Sequence, residues 1–324
     1  VAKSTVKEFQ LIERYFHGRG QARKDVRLGI GDDCALVHPA EHKSIAISCD
    51  TLVENVHFLP DMPAQALGYK ALAVNLSDLA AMGAEPAWMT LALTMPSVDE
   101  TWLEQFSAGL FEAADYYGIS LVGGDTTRGP RAINITVHGQ VPEGKALTRS
   151  GARAGDWIYV TGSLGDSALG LDIIRGELKA RAEHKEYLVN RHYHPSPRVL
   201  AGQSLRGLAS SAIDLSDGLL SDIKHILKAS AVGAVLEVDK LPLSQAMKDT
   251  VTADAALDYA SVAAKTMSCC SLCRKRSAAR WKPPWAMPES SSIKSARYLP
   301  VINSGCNIMA RYSSRNRQDL SIFR

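Results

Sequence analysis

The sequence has no apolar run approaching 18 residues, so no membrane-spanning helix is expected. Its opening stretch, VAKSTVKEFQLIERYF, lacks an apolar core followed by a small-residue cleavage site, so export is not expected and a cytoplasmic location is. Cysteine is scarce. Only Cys34 and Cys49 precede residue 260, too few for a disulfide scaffold. Neither GxGxxG nor GxxxxGK[ST] occurs, so both standard phosphate-binding loops are missing. There is no repeat of solenoid period. What remains is a 324-residue chain, 46% hydrophobic and 22% charged, of globular composition and long enough for two domains.

The net charge of +3 conceals a break. Residues 261–324 hold 12 Lys and Arg against 2 Asp and Glu; subtracting from 37 and 34 leaves 25 basic and 32 acidic residues before them, a net of −7. The body is acidic and the tail basic. Cys269, Cys270, Cys273 and Cys306 also fall in the tail.

Hydrophobic periodicity predicts a helix over 7–16, a strand over 44–50, a helix over 63–82 and a strand over 87–95. A helix over 99–117, a strand over 119–125 and a half-exposed strand around Ile133, Ile135 and Val137 follow. A second unit begins near Gly151, with a strand in DWIYVTG, helices over 165–175 and 197–208, a helix over 217–230 and a strand over 234–239. Strands and helices alternate on short connections, which reads as α/β or α+β.

Acids recur beside glycine or at strand ends: Asp32 and Asp33 in GIGDD, Asp50 in SCD, Asp78 in NLSD, Asp125 in GGD, and Asp214 and Asp217 in DLSDG. Carboxylates repel one another unless cations neutralise them, and Mg²⁺ takes oxygen ligands of this kind. Asp78 continues the apolar stripe of Leu67, Ala71 and Val74, where an unpaired charge is costly. It must face a metal, a basic partner or a site at the edge of the core. Asp before Gly is also common in turns, and Asp217 could simply cap a helix. The residues alone therefore reach a metal-dependent α/β enzyme with several acids, phosphoryl transfer being one option.

GIGDDCAL, SCDTLVENVHF, KALAVNLSDLAAMGAEP, LVGGDTTRGP, ALTRSGARAGDWIYVTGSLGDSALGL and SAIDLSDGLLSD, in this order and at these separations, resemble the thiamine-monophosphate kinases of the aminoimidazole-ribonucleotide synthetase superfamily. The resemblance covers about residues 8–260. It implies a two-domain α/β (α+β) fold: an N-terminal ATP- and metal-binding domain over 1–147 that forms a homodimer through its sheet, and a C-terminal α/β domain over 148–260. It implies ATP-dependent phosphorylation of thiamine monophosphate to the diphosphate by in-line transfer, with several Mg²⁺ ions as cofactor, no covalent catalytic residue, and no nucleic-acid or membrane partner. Position by position, Asp33, Ser48, Cys49, Asp50, Asp78, Asp125, Asp214 and Asp217 match metal ligands. Gly124, Asp125, Arg149 and Ser216 match ATP contacts, and His57 matches a contact to the thiamine phosphate. Without the resemblance, His57 between Val56 and Phe58 reads as a core histidine. Cys49 stands where the family has threonine; a thiol is a poor Mg²⁺ ligand, so there the backbone carbonyl would have to supply the oxygen.

After ALDYA at 256–260 the resemblance implies a run such as LSGGEDYEL, and the chain instead reads SVAAKTMSCCSLC. Read from the third base of the Ser261 codon, the codons open to Ser261–Cys269 can spell SGGEDYEL, and those that follow allow LLFVS. Residues 261–324 are therefore expected to be translated out of frame, to be disordered and to leave the C-terminal domain incomplete. The GGEDYE acid and a later aromatic that would hold thiamine have no matching position. The alternative reading is thus an impaired remnant that binds Mg-ATP without productive acceptor binding.

Overall fold

A computed structural model describes residues 8–261, 268–273 and 308–311. In chain order the elements are α1 (Glu8–Tyr15), β1 (Val26–Leu28), β2 (Leu36–Val37), β3 (Lys43–Val53), α2 (Ala64–Ala81), β4 (Glu85–Met95), α3 (Glu100–Tyr117), β5 (Ser120–Arg128) and β6 (Ala132–Pro142). Then come β7 (Trp157–Val160), α4 (Asp166–Ile174), α5 (Ala182–Tyr193), α6 (Val199–Leu205), β8 (Ala209–Leu215), α7 (Leu219–Ser230), β9 (Ala234–Glu237), α8 (Gln245–Thr250), α9 (Ala253–Ser261), β10 (Ser268–Cys273) and β11 (Ile308–Arg311). Two compact units result, one ending at Leu79 and resuming over Ala84–Gly144, the other holding Ala80–Gly83 and the chain from Lys145. No helix among the described residues is long and apolar enough to cross a membrane.

The first unit is built on a four-stranded sheet of order β3-β6-β4-β5. β3 and β4 both pair antiparallel with β6, while β4 and β5 are parallel, with α3 as the crossover between them. Leu91, Leu93 and Met95 of β4 and Ile133, Ile135 and Val137 of β6 bury one face. Asn134, Thr136 and His138 alternate onto the other, which is partly open. α2 is apolar on nearly every side, as a core helix must be. α3 starts where the Asp99 carboxylate accepts from Trp102 N–H at 3.0 Å and stops at Gly118, whose φ of 68° suits glycine.

The two long helices meet at glycines. A Cβ on Gly109 would lie 1.8 Å from the Gln65 carbonyl oxygen, and one on Gly68 would lie 2.0 Å from that of Phe106. Backbone cannot give way as a flexible side chain can. Gly109→Ala should therefore destabilise the protein by about 1–3 kcal/mol or more. Urea unfolding of parent and variant measures this, and an unchanged midpoint would show that the helices do not need this close approach.

In the second unit α7 lays Leu219, Ile223, Ile226 and Leu227 against Ile158, Val160, Ile213 and Leu215 of β7 and β8. A second cluster gathers Leu169, Ile173, Leu188, Met247 and Ala256 from α4, α5, α8 and α9. α5 was not expected: AEHKEYLVNRHY has no apolar stripe and buries only Leu188 and His192.

The tail departs from expectation at two places. β10 pairs antiparallel with both β7 and β8 and so occupies the centre of a three-stranded sheet, and β11 pairs parallel with β9. These ten residues are described as strands, and the expected disorder of 261–324 concerns a tail most of which lies outside the described residues. Ladder pairing uses backbone groups that every non-proline residue carries, so an extended segment of almost any composition can fill an open slot. The rest of the tail, including the proposed frame break beyond Ser261, lies outside the described residues.

Candidate active site

In the first unit the site begins where β3 passes α2. From Lys70 to Ala81 every residue is buried except Asp78, which is half-buried. The apolar stripe read from the sequence thus runs to the core edge and ends on a carboxylate. Ser48 Oγ donates to Asp78 Oδ2 at 2.5 Å. Asp50 is fixed through its own N–H, which donates to Asn75 Oδ1 at 3.0 Å, and Asn75 in turn donates to the Ala71 carbonyl at 3.0 Å. Asn75 is fully buried and was missed in the sequence. The available signal was its place three residues before Asp78, on the same helix face. Burial, and next the Asp78 charge, push the Asp50 carboxyl above the usual range, while His57 opposes this. Hard oxygen donors carrying two like charges at the edge of the core suit a divalent cation such as Mg²⁺, which would relieve that repulsion.

Cys49 does not join this group with its side chain. Strand side chains alternate, so Cys49 and Thr51 turn to the opposite face, where Asn134 Nδ2 donates to Cys49 Sγ at 3.2 Å and to Thr51 Oγ1 at 2.7 Å. This accords with the expectation that a Cys49 contact to metal would come from the backbone carbonyl and not from the thiol.

Asp125 sits beside Ala92 on β5, the edge strand opposite β3. Three strand spacings, about 14 Å, separate these edges. Gly124 has φ of 155°, and a Cβ there would lie 1.9 Å from the Leu91 carbonyl oxygen, so only glycine lets β5 close on β4 before Asp125. Asp32 and Asp33 are exposed after Gly31, with Asp33 N–H donating to Asp32 Oδ1 at 2.8 Å. Among the described residues, no three His, Cys, Asp or Glu side chains converge on a single metal-sized site. Of the expected ligands in this unit, the structure brings together Ser48, Asp50 and Asp78.

His57 is exposed, not a core residue. Phe58 is its buried neighbour and anchors the turn. Val53 N–H donates to His57 Nδ1 at 3.0 Å, which leaves Nε2 to carry the proton of a neutral ring. Arg131 supports this turn: it pairs with Glu54 at 2.7 Å and lies 4.7 Å from the centre of the Trp102 ring.

In the second unit Asp214 is half-buried near the end of β8, and Ser216 and Asp217 follow in the turn into α7. Both backbone N–H groups of that turn donate to one oxygen of Asp222, from Ser216 at 2.9 Å and from Asp217 at 3.1 Å. Asp222 is almost fully buried. Burial raises its pKa, and the two N–H donors pull the other way. The sequence reading passed over it, although an acid in the first turn of a helix behind a glycine is a signal for binding backwards onto free N–H groups. Arg149 is exposed, and its carbonyl accepts from Ser230 Oγ at 3.1 Å. Its loop is held by Asp156, which accepts from Arg153 N–H at 2.9 Å and Ser210 Oγ at 2.6 Å.

Known proteins share both units. The family model for AIR synthase related protein, N-terminal domain, matches residues 31–141, and that for the C-terminal domain matches 153–262. The thiamine-monophosphate kinase of Escherichia coli K12 is 59% identical over 254 residues, 78% of each chain. That of Haemophilus influenzae is 50% identical over 240 residues, 74% of this chain and 73% of its own. Among solved structures, the thiamine-monophosphate kinase of Stenotrophomonas maltophilia K279a superposes with a TM-score of 0.80 at 40% identity, covering 89% of this chain and 92% of its own. The structure described as AaThiL complexed with AMPPCP and TMP superposes with a TM-score of 0.74 at 26% identity, covering 87% and 88%. The chain therefore belongs to the thiamine-monophosphate kinase family, an enzyme of kinase class built on the two AIR synthase related domains.

Proposed function

We propose that the chain transfers the γ-phosphoryl group of ATP in line to the phosphate of thiamine monophosphate, giving thiamine diphosphate and ADP. The observation that carries this reading is the Ser48–Asp50–Asp78 group, oxygen donors with an excess of negative charge, in a chain 59% identical to a thiamine-monophosphate kinase. Mg²⁺ bound by these acids, and by Asp33, Asp125, Asp214 and Asp217, would neutralise the charge of the ATP triphosphate and of the acceptor phosphate. The protein's own task is then positioning. Asn75 and the β3 backbone hold Asp50 in place. His57, protonated on Nε2, can donate to a phosphate oxygen of the acceptor. Gly124, Asp125, Ser216 and the fixed cation of Arg149 are assigned to ATP. The acceptor phosphate is already ionised near neutral pH, so no strong general base is required. A cytoplasmic homodimer joined by the first unit's sheet completes the proposal. The open face of that sheet supports it, since Ile47 is 63% exposed there.

The missing GGEDYE acid favours a second reading, a remnant that binds Mg-ATP but not its acceptor. One experiment separates the two: incubation with ATP, Mg²⁺ and thiamine monophosphate, alongside titration with Mg-AMPPCP. Equal yields of ADP and thiamine diphosphate, lost on adding EDTA, support the kinase. Nucleotide binding without the diphosphate supports the remnant, and the absence of both removes the proposal.

A further inference from the structure

We propose that Asp222 is a positioning residue that holds the turn carrying Ser216 and Asp217, so that both present their side chains to nucleotide and metal. This rests on the reading above for what those two residues bind. The geometry is specific. One carboxylate oxygen accepts from two consecutive N–H groups, at 2.9 and 3.1 Å, and these belong to the two residues assigned to ATP and metal. The intervening Gly218 has φ of 107° and ψ of 152°, a conformation that L residues rarely adopt, so the turn needs both a glycine and an external clamp. α7 has no side-chain cap at Gly218. Asp222 reaches back from the helix's first turn instead.

The residue type also argues for the role. Asp222 is buried to 3% exposure beside a second acid, Asp217, with His225 as the neighbouring group of opposite tendency. Burying a carboxylate next to another is costly. The two N–H groups offset that cost, and a single acceptor oxygen holding both, at 2.9 and 3.1 Å, limits the motion of the Ser216 and Asp217 backbone. Asp217 itself remains exposed.

The test uses the full chain with Asp222→Ala and Asp222→Asn. Titration with Mg-AMPPCP should weaken about 10- to 100-fold for the Ala variant. Asn keeps an acceptor oxygen in place and should restore affinity to within a few-fold of the parent. Hydrogen exchange should find the Ser216 and Asp217 amides slow in the parent and fast in the Ala variant. A purely structural residue would lower the melting temperature while leaving affinity of the folded protein unchanged. That outcome overturns the proposal, as does an Asn variant no better than Ala. If the Ala variant does not fold, the Asn titration and the parent's amide exchange still decide, fast exchange at both amides counting against it. A parent that does not bind Mg-AMPPCP removes the functional reading, while the exchange measurement continues to judge the clamp.

Discussion

Asp78→Asn should lower the rate of phosphoryl transfer by about 10²–10³-fold, or roughly 3–4 kcal/mol of transition-state stabilisation, without unfolding the protein. The substitution keeps the volume and the oxygen that accepts from Ser48 Oγ. It removes only the charge. In the metal-free protein that charge opposes folding, because Asp50 has a raised pKa caused first by burial and second by Asp78. The sign follows from linkage. A carboxyl whose folded pKa exceeds its unfolded pKa stabilises the fold below the unfolded value and loses that contribution as pH rises through the folded one. Near neutral pH the pair therefore works against the fold, and removing one charge relieves it. The variant should melt at the same temperature as the metal-free parent or higher. It should also lose the Mg²⁺-dependent rise in melting temperature and bind Mg-AMPPCP more weakly. A variant that melts lower yet responds to Mg²⁺ like the parent would show that Asp78 is an architectural residue and not a ligand.

Restoring the reading frame at the Ser261 codon should raise kinase activity by about 10²-fold or more, the scale on which a missing acceptor contact costs positioning. The structure adds an argument that the sequence lacked. The six positions of β10 are central in their sheet, between β7 and β8. Their neighbours on those strands include Ile158, Val160, Ile213 and Leu215, all buried. The register sets positions 268, 270 and 272 opposite these four, so apolar residues are called for there. As written it reads SCCSLC. Read from the third base of the Ser261 codon, the same six codons allow LLLFVS, and the residues just before them allow the acid-bearing SGGEDYE. Opposite buried neighbours, each Ser or Cys replaced by Leu, Phe or Val should add about 1 kcal/mol or more. The restored protein should therefore unfold at higher urea as well as turn over faster. Equal midpoints and equal rates for the two chains would sink the frame argument, and resequencing the gene at this codon tests it directly.

Much of the first unit was legible because its signals are local. β6 alternates Ile133, Ile135 and Val137 with polar residues and does so in the structure. α3 has its Asp99 cap and Gly118 stop. The fate of Cys49 was also legible: Ser48, Cys49 and Asp50 are consecutive in a strand and cannot all share a face. α5 was not, because it is held by a few buried residues and by neighbours from α4 and α8 and shows no stripe of its own.

By itself the sequence determined the alternation of elements, the turns that carry acids, and the family that follows from six motifs in order. It could not determine which acids meet. Ser48 and Asp78 are 30 positions apart and share a hydrogen bond, while Asp50 and Asp125 stand on opposite edges of one sheet. Strand order and helix docking decide such distances. They are set by long-range burial and backbone pairing, β3 against β6 across some ninety residues, which no local pattern encodes.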